Sequence, residues 1–279
     1  MTENTKHPEE GPPPDTPPPS EELTDRMADA LAGTGEPTTQ GMANVSDEAA
    51  SETDEVLEEE KVKDEVEIQI DLLQDPDWVV RREAVITLGE MGDERCVQPL
   101  LKALQDGDWQ VREVAVEALA QVGSPAVDGL IRYLRHWDIR KNVLKALGKV
   151  KDERVLQPLL GQLKSDEFGE DALDALVEVG PPAVEGLCAA LKDKEEIVRK
   201  RAVIALGRIG DSTAVEALML MLQDSDWFTR ITAAGALEKI GDERGREAIK
   251  GMLKDPDQVV RMRVERILAA WKKNQAATA

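Results

Sequence analysis

Apolar residues recur at steps of three and four from about residue 62 onward, in blocks too short to stand alone. Between Asp75 and Gly92 the inward positions are Ala84, Val85 and Leu88, and polar side chains occupy the rest of the turn. The block then returns. Asp106, Trp109, Arg112 and Gly123 echo Asp75, Trp78, Arg81 and Gly92 at a spacing of 31 residues. Followed onward, the closing column reads Gly92, Gly123, Lys151, Gly180, Gly210 and Gly241, in steps of 31, 28, 29, 30 and 31. Eleven residues before each member stands Arg81, Arg112, Arg140, Gly169, Arg199 or Arg230, and Arg261 opens a last copy. A period this regular means that no unit buries its apolar face alone, so each must stack on its neighbours.

The pattern predicts an all-α array of about seven helix pairs, over residues 62–91, 94–122, 124–150, 153–179, 181–209, 212–240 and 243–271. Asp75 is read as the N-cap of a second helix, with Pro76 at its first position and Asp77 at its positive end. Val62, Val66, Ile70 and Leu73 make the stripe of an opening helix whose charged outer side suits a capping element. Trp271 ends the last stripe and is expected to shield the far end of the core. Pro99 and Pro158 fall inside predicted helices and should bend them. Repeats three and four are short, and Gly169 stands where the other units supply Arg, so a change of curvature is expected near residues 134–170. At Gly169 the broken column should leave Asp166 or a backbone carbonyl more exposed, as a hinge or a recognition notch.

Composition divides the chain into parts. Of its formal net charge of −21, residues 1–60 hold 17 Asp or Glu against 2 Lys or Arg, so the repeats are only mildly acidic. The reading is therefore a disordered acidic, Pro-rich tail over 1–54, a solenoid over 55–273 and a disordered C-terminus over 274–279. Within the tail, Leu23, Met27 and Leu31 lie on one side of a short amphipathic stretch, residues 21–32, that is unstable alone. Cys96 and Cys188, in different repeats, read as buried small hydrophobes. No apolar run reaches the roughly 18 residues that span a membrane, and the N-terminus has no signal-peptide pattern, so the cytoplasm is expected. The negative charge argues against nucleic acid and anionic lipid.

The two-helix unit, the Asp with Arg six positions later (Asp75 and Arg81, Asp106 and Arg112, Asp193 and Arg199, Asp224 and Arg230, Asp255 and Arg261) and the closing Gly-Asp resemble HEAT repeats. They are most similar to the short subclass named after the phycobilisome lyase subunits, over roughly residues 62–271. The resemblance implies a right-handed α–α superhelix, with Asp and Arg forming ladders of hydrogen bonds between adjacent repeats. It also brings two enzymatic associations. Chromophore lyases of the group attach or remove bilins, but no catalytic residue of theirs matches here. Deoxyhypusine hydroxylases hold two irons through repeated His-Glu pairs, whereas this chain has only His7 and His136, the latter followed by Trp137. No other pattern asks for a metal or cofactor. There is no Ser-His-Asp set, no Cys-His pair and no phosphate-cradling Gly-rich loop.

The candidate site is a surface. Along the outward side of the second helices, which line the concave side in HEAT solenoids, repeat three offers Lys141, Lys145 and Lys149. Repeat four answers with Glu170, Asp171, Asp174 and Glu178, and repeat five returns to Lys200, Arg201 and Arg208. These bands either compensate one another or fix the register of a partner, with Ile86, Val114, Ile204 and Ile231 at the margins. Trp78, Trp109, Trp137 and Trp227 occupy one column, which either covers the seams between repeats or forms an exposed stripe for a peptide. The function expected is a non-catalytic scaffold or adaptor that binds a protein or extended peptide, not nucleic acid. A lyase-like enzyme or enzyme subunit is the alternative. A third expectation is that the acidic residues 1–54 contact the basic rows within the same chain.

Overall fold

The computed structural model describes residues 63–278, with side chains as far as residue 272. The expectations for the tail over 1–54, the stretch 21–32, Val62 and a contact between the tail and the basic rows lie outside the described residues.

Seven helix pairs follow one another. They are α1 (Glu65–Leu72) with α2 (Trp78–Met91), α3 (Val97–Ala103) with α4 (Trp109–Val122), and α5 (Val127–Tyr133) with α6 (Arg140–Lys149). Next come α7 (Leu156–Gln162) with α8 (Gly169–Val179) and α9 (Val184–Ala190) with α10 (Glu196–Ile209). The last are α11 (Val215–Met221) with α12 (Trp227–Ile240) and α13 (Glu243–Gly251) with α14 (Gln258–Thr278). Residues 274–278, expected to be disordered, instead carry the backbone of the last helix. The even-numbered helices form one layer, each packed on the next, and the odd-numbered ones brace them from behind.

The repeat period is written into the core. Leu88, Leu119, Leu147, Leu176, Leu206 and Leu237 form one fully buried column, and Leu100, Leu130, Leu159, Leu187, Leu218 and Ile249 form a second from the short helices. Each such side chain contributes about 1.5–3 kcal/mol by leaving water. The last pair closes the stack. Trp271 is 9% exposed, and the Arg246 guanidinium lies 4.9 Å from its ring centroid.

Three expectations about helix ends are corrected by local chemistry. The N-cap of α2 is Asp77, whose side chain accepts from Val79 N–H. Asp75 lies two residues earlier and accepts from Asp77 N–H at 2.8 Å, so the pair makes a turn and then a cap. Asp106 and Asp108 repeat this arrangement. The short helices enter through 3₁₀ turns such as Glu94–Cys96, which puts Pro99 and Pro158 third in α3 and α7. There, in the first turn, a missing N–H is no loss to the helical ladder.

The closing glycines Gly92, Gly123, Gly180, Gly210 and Gly241 have φ between 63° and 76°, a backbone region that side chains disfavour. Lys151 needs no such freedom. Its helix ends instead at Val150 in an extended conformation, which is how repeat three dispenses with a glycine.

Candidate functional site: a banded groove and the joints that hold it

The joints between repeats position everything on the outer side of the even helices. At three of them one device recurs. Arg81 bridges to Asp106 with Nε and Nη2, both at 2.8 Å. Arg199 does so to Asp224, and Arg230 to Asp255. In each case Nη1 turns back to the carbonyls at the start of its own helix, as Arg81 does to Asp75 O at 2.9 Å. The forked geometry is what guanidinium and carboxylate favour. The Arg81 hydrogen bond holds Asp106 below the usual carboxylate range, against the opposing effect of burial, and Arg230 does the same for Asp255.

The central joints differ, because His136 and Ser165 stand at the turn position where the outer repeats carry Asp. Arg112 bonds only to the carbonyls of Asp106 and Gly107. Arg140 bonds to Leu134 O and stacks 4.9 Å from the centroid of Phe168.

Gly169 does not open a notch or leave a carbonyl bare. Arg201 reaches over from α10 and donates from Nη1 to Leu163 O at 2.7 Å and Ser165 O at 2.8 Å. Its Nε donates to Glu170 Oε1 at 2.9 Å. Leu163 O lies six residues before Gly169, the carbonyl that an arginine at 169 would itself cover. A Cβ on Gly169 would stand 2.0 Å from Arg201 Nη1. The glycine is the socket for an arginine supplied by the next repeat. Arg201 is therefore 5% exposed and leaves the basic band in which the sequence placed it.

The other residues of the bands part into groups. Lys141, Lys145, Lys149, Asp171, Asp174, Glu178 and Arg208 line one cleft of about 400 Å³ between α6, α8 and α10. Glu170, 69% exposed at its side chain, pairs with Arg201 instead. Lys200 turns toward the start of α12, pairing with Glu196 and with Asp226. Neighbouring rows compensate one another. Lys145 meets Glu113 at 2.6 Å and Lys149 meets Glu117 at 2.9 Å. Lys141 lies 3.6 Å from Asp171, and Arg208 bonds Asp174. Glu117, with smaller help from Glu178 and Glu113, pushes the Lys149 ammonium up from its ordinary value.

Sequence reasoning missed what lies at the end of this cleft. Lys149 and Glu178 are shared with a second cavity of about 390 Å³, whose apolar wall is Val150, Leu156, Val179 and Pro182. The signal was present in the closing column, where Lys151 replaces glycine and three residues, Val150 to Asp152, separate the end of α6 from the 3₁₀ turn at Glu153.

The Trp column is mixed. Trp109, Trp137 and Trp227 are 53%, 63% and 44% exposed, whereas Trp78 packs half-buried against the core. Trp137 donates from Nε1 to Glu167 at 2.7 Å and sits edge-on to Phe168. Neither Trp78 nor Trp109 lines the charged cleft.

Burial raises the Cys96 and Cys188 thiols above their ordinary values. Among the described residues, no cluster of three His, Cys, Asp or Glu is placed to hold a metal ion. No single described helix is long and apolar enough to cross a membrane.

The family described as HEAT repeats matches residues 66–136, 97–179 and 184–269. No curated protein matches the chain. Among solved structures, human deoxyhypusine hydroxylase in complex with glycerol is 21% identical, with a TM-score of 0.40 over 75% of this chain and 84% of that one. The complex of CpcE and CpcF of phycocyanin lyase from Nostoc sp. PCC7120 is 24% identical, with a TM-score of 0.37 over 79% and 99%. An archaeal HEAT-like repeats protein from Thermococcus onnurineus NA1 is 15% identical, with a TM-score of 0.36 over 69% and 96%.

Proposed function

This chain belongs to the HEAT-repeat family, and we infer that it is a non-catalytic scaffold or regulatory adaptor that binds a protein or extended peptide along the outer side of its even helices. The observation that carries this reading is that the charged cleft and the apolar cavity adjoin, with Lys149 and Glu178 lining both. A rigid, preorganised groove needs little further ordering on binding, so its contacts translate into affinity with small entropic loss. Alternating bands set register, since a segment shifted by one repeat meets charges of the wrong sign. The apolar wall of Val150, Leu156, Val179 and Pro182 gives one anchoring side chain a dry seat. A uniform polyanion such as nucleic acid is repelled by Asp171, Asp174 and Glu178 of α8.

The test is recovery of bound protein from the source cells by the wild type and by a variant with Lys141, Lys145 and Lys149 all changed to Glu. Loss of at least one partner that the wild type recovers supports the groove, and unchanged recovery of every partner rejects it. The lyase-like alternative is read in a parallel experiment. A change in a bilin's absorption on mixing with the purified chain would overturn the non-catalytic reading.

A further inference from the structure

The position one residue inside the Trp column changes character along the array. It reads Gln110, Asp138 and Glu167 in repeats two to four, then Ile197, Phe228 and Val259 in repeats five to seven, the last three at steps of 31. Those three are 37%, 42% and 52% exposed, and Met262, one turn beyond Val259, is 55% exposed. A solvent-facing apolar row that follows the repeat period costs the free protein solubility and has no role in the core. Beside it runs a second row, Glu195, Asp226 and Asp257, at the cap positions of α10, α12 and α14. Glu196, Asp226, Trp227 and Asp257 share one open cleft of about 560 Å³ along these helix starts.

The charge there is not balanced. Lys200 serves both Glu196 and Asp226, and Arg230 is taken up by Asp255. The site already accommodates one cation of its own, since the Lys200 ammonium sits 5.5 Å from the Phe228 ring centroid. Trp227 stands edge-on to the same ring at 5.9 Å and offers a second aromatic surface to a cation. Acid beside apolar, twice repeated, calls for a partner that carries base beside apolar at the same interval.

Packed helices lie about 8–10 Å apart. A polyproline-type segment rises about 3.1 Å per residue and completes a turn in three, so it presents the same side about every 9 Å. The two periods agree. We propose that the starts of α10, α12 and α14 dock an extended segment of another protein in which a basic and an apolar side chain recur every third residue. Lys or Arg lies along Glu195, Asp226 and Asp257, and the apolar side chains lie over Ile197, Phe228 and Val259. This surface is separate from the cleft of α6 and α8 and goes beyond it.

Fluorescence anisotropy on the full chain tests the assignment with three labelled nonapeptides. One repeats the triplet Lys-Leu-Pro three times, one holds the same residues as a lysine block, a leucine block and a proline block, and one repeats Glu-Leu-Pro three times. The periodic basic peptide is expected to bind at least fivefold tighter than either of the others. F228S/V259S leaves the net charge unchanged and alters only exposed side chains, and it should weaken that peptide at least fivefold with unchanged helical circular dichroism. General attraction to an acidic protein would instead bind the block peptide within fivefold of the periodic one, and that result overturns the proposal. So does a loss below fivefold in F228S/V259S. Reversal of Lys141, Lys145 and Lys149 should preserve the ratio between periodic and block peptides, so the two surfaces fail separately; a ratio that collapses in that variant also overturns the assignment.

Discussion

The joints at the two ends of the array and those in its middle solve one problem in different ways. Each turn that leads into an even helix presents carbonyls to which an arginine donates, from the exposed Asp193 O to the buried Leu163 O. At the outer joints an arginine of the same repeat covers them and spends its remaining donors on the next repeat's aspartate, as Arg230 does with Asp255. In the middle, His136 and Ser165 take the place of the aspartates. Arg140 then turns to the Phe168 ring, and Arg201 comes from the following repeat to cover Leu163 O and Ser165 O. What is preserved is satisfaction of the backbone, not the residue that provides it.

The largest effect is expected at the borrowed arginine. Arg201→Ala leaves Leu163 O and Ser165 O without their donor and opens a cavity beside Gly169, at a cost of about 2–4 kcal/mol. Urea unfolding measures it. If the socket logic holds, Gly169→Arg added to Arg201→Ala restores at least half of the loss, because the new side chain covers Leu163 O from its own repeat as Arg140 covers Leu134 O. A double variant no more stable than R201A would show that the two positions are not exchangeable.

An intermediate effect is expected from Asp255→Asn, which keeps an acceptor for Asp257 N–H but removes the charge from the Arg230 fork. Loss of a charge-assisted pair this well covered costs about 2 kcal/mol. The folded-state titration of Asp255 lies below its ordinary value, chiefly through the Arg230 hydrogen bond. Its stabilisation is thus complete above about pH 3.9, the unfolded value, and is lost as pH falls through the lower folded value. Thermal melts between about pH 5 and pH 2 should therefore fall less steeply for the Asn variant than for the wild type. Equal slopes would mean that the bridge contributes nothing measurable.

The smallest effect belongs to the exposed bands. Lys145 and Glu113 are 46% and 48% exposed at their side chains, so Lys145→Ala should change stability by less than about 0.5 kcal/mol. A larger change that persists in high salt would mean that this row supports the fold and does not merely face solvent.

Much of the fold was legible in the residues. The spacing of Gly92 to Gly241 and the columns from Ala84, Val85 and Leu88 onward encode seven stacked pairs, because burial at fixed intervals leaves few other arrangements. The interrupted Arg column at Gly169 was equally visible. Its filling was not. Arg201 is 32 residues from Gly169 and shares helical spacing with Lys200 and Arg208, so nothing local separates a guanidinium inserted between helices from one in water.

The candidate site divides in the same way. Sequence alone placed Lys141, Lys145, Lys149, Asp171, Asp174, Glu178 and Arg208 on one side of their helices, because side-chain direction follows backbone periodicity. Which of them share a cleft, which cation faces which carboxylate, and that Trp78 is covered while Trp109 is open depend on the rotation and separation of neighbouring helices. Those are set by side-chain volumes meeting across repeats, where one absent Cβ admits an arginine. Periodicity within the chain therefore decides what each repeat is made of, and packing between repeats decides what it presents.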